Sequence, residues 1–196
     1  MNKDFLRIGI PKTASVSIES SGIIKESNKT TTPILAKNIK NLNNFFSFAI
    51  VRNPYEKVLS SYFYWIRVGN SRNKSGLFYE FTKKYPTFES FVLDYHNTQG
   101  PEVYQTSEYT QWKFITDDNN NIIIDFVGKF DNLEEDFKTV QLLNGIKEKD
   151  LFSLPHLNKS NHDFWKTYYN NELAEIIYEK WEEDFINLKF DKYSYK

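Results

Sequence analysis

An α/β fold with a central, mainly parallel sheet flanked by helices is what this sequence predicts, and three observations carry the prediction. Two short apolar runs, residues 5–10 and 45–51, are each closed by a turn signal and followed at once by a helix start, the pattern of strands buried in a parallel sheet. A third run, 122–126, follows the turn cluster Asp117-Asp-Asn-Asn-Asn121 and reads as another strand. Amphipathic stretches at helical spacing fill the intervals. With no internal repeat and no low-complexity linker, residues 1–196 read as a single domain.

The first run, Phe-Leu-Arg-Ile-Gly-Ile, stops at Pro11-Lys12, because proline cannot donate to a sheet ladder. Thr13, Ser15 and Ser17 are then expected to cap the next helix, residues 16–21, which Gly22 ends. The first N–H groups of a helix lack partners within it and carry roughly half a positive charge. Lys12 adds a full charge beside them, so strand, loop and helix describe a cradle for an anionic group. It is not the glycine-rich Walker loop, which needs Gly where this chain has Leu6 and Pro11.

The second run leads into Arg52-Asn-Pro-Tyr-Glu-Lys-Val-Leu-Ser60. Asn53 is the expected N-cap, Pro54 the first helical residue and Glu56 the third. Tyr55, Val58, Leu59, Tyr62 and Ile66 recur at helical spacing and should face the core. Ser60 lies off that stripe. Arg52 at the strand end and Ser60 on the free face of the helix together suit a second phosphate, the arginine as a forked cationic donor and the serine through its hydroxyl.

Later elements follow the same logic. Residues 87–95 and 107–115 read as helices, Asp131 and Glu134 as a capping box opening another, and Asn170 or Asn171 as the cap of a long helix with Leu173, Ile177, Trp181 and Phe185 inward. Residues 23–44 hold one short strand candidate at 33–36. The basic stretch 69–76, with Arg67, Arg72 and Lys74 in or beside it, reads as a solvated loop or the edge of a site for an anionic acceptor.

Composition removes several function classes. The chain has no cysteine, so disulfide frameworks and thiolate chemistry are excluded. A net charge of −1 argues against broad nucleic-acid binding. The first strand begins within a few residues of Met1 and no apolar run reaches spanning length, which predicts a cytoplasmic protein with no signal peptide and no transmembrane segment. His156 and His162 flank Lys159 and Ser160, yet no histidine pair has helix-borne metal spacing, so no metal is expected.

Pro11-Lys-Thr-Ala-Ser together with residues 52–60 resembles the two cofactor loops of the sulfotransferases, especially the carbohydrate type known as sulfotransferase family 2. The run 12–15 and Tyr62-Phe-Tyr-Trp-Ile-Arg67 are similar to the heparan sulfate 2-O-sulfotransferase branch, and residues 125–137 and 154–160 resemble later segments, in the expected order. The resemblance implies a P-loop-like three-layer fold with a helical cap. Its implied donor is 3′-phosphoadenosine 5′-phosphosulfate (PAPS), with 3′-phosphoadenosine 5′-phosphate (PAP) as product, and its implied acceptor a hydroxyl, on a carbohydrate.

By the same resemblance Pro11, Lys12, Thr13, Ala14, Ser15, Val16 and Ser17 hold the 5′-phosphosulfate, and Arg52 and Ser60 hold the 3′-phosphate. Lys159 and Ser160 close over the nucleotide. Ser60 would also touch Lys12 and restrain wasteful hydrolysis. Val16 departs from relatives that carry a hydroxyl residue there. For the base that takes the acceptor's proton, relatives use a His or Glu between the two loops; Glu26 is the first candidate, with Glu19 and His96 as alternatives. A P-loop small-molecule kinase and a nucleotide-binding protein without turnover are the competing classes.

Overall fold

Three parallel strands in the order β1-β2-β3 form one sheet in the computed structural model, which describes residues 3–25, 28, 34–71, 76–97, 109–155 and 163–196. They are β1 (Asp4–Arg7), β2 (Phe45–Val51) and β3 (Phe126–Lys129). The chain forms two compact units, one of residues 1–52 and 109–159 and the other of residues 53–108 and 160–196.

The first unit holds the sheet. Its register pairs Phe5 with Phe46, Phe48 with Phe126, and Val51 with Lys129. Phe5, Phe48 and Ile50 on one face pack with Ile18 of α1 (Ser15–Ser20) and with Phe137 and Val140 of α6 (Leu133–Leu143). Leu6, Ile8, Ala49 and Val51 alternate with them and are buried too, so both sheet faces are covered, as a parallel sheet requires. The close approach of β3 to α6 needs Gly128, where a Cβ would stand 2.7 Å from Ile50 Cδ1 and 3.0 Å from Asp136.

Three expectations shift here. The ladder of β1 ends sooner than the apolar run 5–10: after the Ile8 N–H bonds to the Phe48 carbonyl at 2.8 Å, the Ile10 N–H turns back to Ile8. The third strand begins at Phe126, not Ile122. Ile122 instead makes an isolated antiparallel bridge to Thr116 around the 117–121 turn, and the Asp125 carboxylate accepts from the Ser47 N–H at 2.7 Å, taking a main-chain donor just before the ladder starts. A 3-10 turn over Phe130–Asn132 precedes α6, which starts at Leu133 with Asn132, one residue beyond the expected Asp131, as N-cap. The Asp136 carboxylate in that first turn accepts from the Lys129 N–H at 2.6 Å and ties β3 to α6.

The elements of the second unit's described residues are helical: α2 (Pro54–Ser71), α3 (Leu77–Lys84), α4 (Phe88–Leu93), 3-10 turns over Tyr95–Asn97 and Trp165–Tyr168, and α7 (Asn171–Asn187). Asn53 caps α2 as expected, its side-chain oxygen accepting from the Tyr55 N–H at 3.0 Å. Thr87 and Ser90 form a reciprocal capping box on α4, and Asn170 accepts from the Leu173 N–H at 2.9 Å to open α7. Tyr55, Val58, Leu59 and Tyr62 join Phe81, Phe88, Phe91, Ile177, Trp181 and Phe185 in one aromatic-rich core. Helix α2 runs on through Gly69 to Ser71, so residues 69–71 of the expected loop at 69–76 are helical, and Arg72 and Lys74 lie outside the described residues. Gly69 is required there by α3, since a Cβ would meet the Phe78 carbonyl oxygen at 2.4 Å. No helix among the described residues is long and apolar enough to cross a membrane.

Candidate active site

Residues 8–14 leave the C-terminal end of β1 and turn sharply into α1. Lys12 (φ 67°) and Ala14 (φ 61°) both take the left-handed conformation without being glycine. Such a residue stores of order 1 kcal/mol of strain, and two within three positions make this a strained turn. The expected caps are not used: Ala14 is the N-cap with no side-chain hydrogen bond, and the Thr13 hydroxyl donates instead to the Ile10 carbonyl at 2.8 Å. Thr13 is buried, and its bond closes the loop on itself. Because α1 has only six residues, its dipole is short, and the positive character of this loop comes from Lys12 more than from the helix.

Arg52, directly after β2, is 7% exposed. Its Nη1 donates to the Lys12 carbonyl at 3.1 Å, which links the two loops singled out in the sequence. The strand register that pairs Val51 with Lys129 brings Phe130 alongside, and the guanidinium carbon stands 4.0 Å from the Phe130 ring centroid, a cation–π contact. The main chain of Arg52 is gripped by Gln111, the first residue of α5 (Gln111–Ile115). The Arg52 N–H donates to Gln111 Oε1 and Gln111 Nε2 donates to the Arg52 carbonyl, each at 2.8 Å. Gln111 is fully buried.

Gln111 and Phe130 were not reached by sequence reasoning. A signal existed for the first: Gln111 shares a helical face with Phe114 and Ile115, and a polar residue on an apolar face must have partners for its amide. Phe130 carries no such mark, because its role depends on strand register.

Pro11, Ser15, Val16 and Ser17 complete the first loop and helix start, with Val16 exposed and Ser17 buried. Ser60 lies in α2 and is buried rather than on a free face. Glu26, Lys159 and Ser160 lie outside the described residues. Glu19 accepts from the buried Arg7 at 2.5 Å, while Arg7 Nε and Nη1 have no hydrogen-bond partner among the described residues; the carboxylate is engaged in holding a buried cation, whose uncompensated burial would be costly. His96 lies 3.6 Å from Glu179 in the helical unit. In the run 62–67, Tyr62, Phe63, Trp65 and Ile66 belong to the aromatic core, so its similarity to one branch is carried largely by packing residues.

Both loops therefore stand at the carboxyl edge of one parallel sheet, where ligands of open α/β folds bind, and one cation holds the main chain of the other. The sulfotransferase family profile matches residues 5–191, which includes both loops and both units. The chain is a member of the sulfotransferase family. It is also similar to an uncharacterized protein of Archaeoglobus fulgidus, 30% identical over 112 residues that cover 56% of this chain and 76% of the relative. No solved structure matches it. As a sulfotransferase, the protein is an enzyme of sulfuryl transfer, and the positively charged donor set of Lys12 and Arg52 fits a donor that carries anionic groups.

Proposed function

We propose that this sulfotransferase takes PAPS as donor and a carbohydrate hydroxyl as acceptor, with residues 1–196 acting as one catalytic domain. The observation that carries the donor assignment is the Arg52 bond to the Lys12 carbonyl, which keeps two cations on adjacent strand ends, as a nucleotide with separate 5′ and 3′ anionic groups requires. Bound PAPS would supply a sulfuryl group on a phosphate leaving group. Lys12 and the loop amides of residues 13–17 neutralise the charge that grows on the leaving oxygen as the sulfur–oxygen bond breaks, an electrostatic role made efficient by a backbone already held in place. Arg52 holds the 3′-phosphate through charge-assisted hydrogen bonds, and Ser60 is the hydroxyl the family resemblance assigns to the same group. Lys159 and Ser160 close the nucleotide site, and Glu26 takes the acceptor proton. The carbohydrate acceptor is supported by the resemblance of residues 11–15 and 52–60 to the carbohydrate-acting branch.

Thermal denaturation with nucleotides tests the donor without knowledge of the acceptor. At a hundred times its dissociation constant, PAP should stabilise the protein by about 2.7 kcal/mol, or about 5–10 °C for a chain of this size. AMP at the same concentration shares the adenosine and 5′-phosphate and should give much less. Equal shifts would defeat the 3′-phosphate assignment, and a larger shift with Mg²⁺–ATP would favour a kinase.

A further inference from the structure

We infer that Gln111 is a positioning residue for donor recognition, holding Arg52 where its guanidinium can select a nucleotide by its 3′-phosphate; this rests on the proposed reading of Arg52. Arg52 stands just past the end of β2, and there Gln111 bonds its main chain with a side chain. One primary amide presents one acceptor and donors in a fixed plane, and here it both accepts from the Arg52 N–H and donates to the Arg52 carbonyl at 2.8 Å, in the manner of a ladder rung made by a side chain.

The consequence reaches the charged end of the residue. A guanidinium on a flexible stem loses much of its binding energy to ordering. Here its root is fixed by Gln111, its face lies on Phe130, and Nη1 is bound to the Lys12 carbonyl. Freeing the root lets the main chain at residue 52 rotate, which displaces the fork. Gln111 itself is fully buried in the sheet unit, as are Phe114 and Ile115, and reaches the guanidinium through the Arg52 main chain.

Gln111→Met removes both hydrogen bonds while nearly keeping the volume. Dissociation constants for PAP and AMP would be measured by calorimetry on the unmodified protein and the variant, with circular dichroism as the check on folding. The expected result is a loss of PAP affinity of about tenfold, the scale of one to two net hydrogen bonds, with AMP affinity unchanged. A residue needed only for folding would lower both affinities together or neither, and either result overturns the inference. If the unmodified protein does not prefer PAP to AMP, the 3′-phosphate reading fails and the inference falls with it. A wild-type preference that survives unchanged in the variant overturns the role of Gln111 alone. Should Gln111→Met not fold, Gln111→Asn carries the same test, since its amide is one carbon short of both Arg52 atoms.

Discussion

The loop after β1 and the helical unit are ordered by opposite means. Around Phe91, which is fully buried, the rings of Tyr62, Trp65, Phe81, Tyr85, Phe88 and Tyr95 lie within 6.4 Å, centroid to centroid. Each pair adds a little, no pair is indispensable to the arrangement, and the sum is a rigid body. Burial there raises the Tyr62 phenol to about 12, a sign of how little water the core admits. The loop after β1 is held in another way. Its shape depends on the Thr13 bond to Ile10, the Arg52 bond to Lys12 and the Gln111 grip on Arg52, and it holds Lys12 and Ala14 in left-handed backbone. Packing spreads energy over many contacts, whereas each of these directional bonds fixes a particular point of the loop.

Phe91→Ala probes the packed region and should have the largest effect, about 3–5 kcal/mol lost from stability, read as a fall in melting temperature of about 10 °C or more. Binding of PAP by the protein that remains folded should be unchanged. A stability loss below about 1 kcal/mol would show that the aromatic cluster is not the rigid body the comparison takes it to be. Lys12→Ala is the complementary change: stability should hold, while PAP release from PAPS falls about a hundredfold or more, near 2.7 kcal/mol, the scale of one preorganised charge stabiliser. Near-normal turnover in that variant would remove the contrast by showing that the loop's charge is not used. The smallest effect sharpens the comparison most. Ala14→Gly relieves left-handed strain at a cost in unfolded-chain entropy, and the balance should raise stability by about 0.5–1 kcal/mol in chemical denaturation. A fall instead would mean that the loop stores no strain at Ala14.

The helical unit was largely legible in the sequence for the same reason that it is robust. Caps at Asn53 and Asn170 and the stripe of Tyr55, Val58, Leu59 and Tyr62 depend on neighbours three or four residues away, so local spacing suffices to read them. Strand β2 and the loop positions of Lys12 and Arg52 were legible because apolar runs ending at turn signals are local features too. What the sequence by itself determined, then, is an α/β chain of the sulfotransferase family with a cationic loop after each of its first two strands. Only the tertiary structure decided how that loop is held. The left-handed backbone at Lys12 and Ala14 contradicts their intrinsic preference, Thr13 turns back to Ile10 instead of capping α1, and Gln111 and Phe130 reach Arg52 across 59 and 78 positions of chain. Contacts made over such separations follow from strand register and the burial of both partners, and no local pattern of residues specifies either.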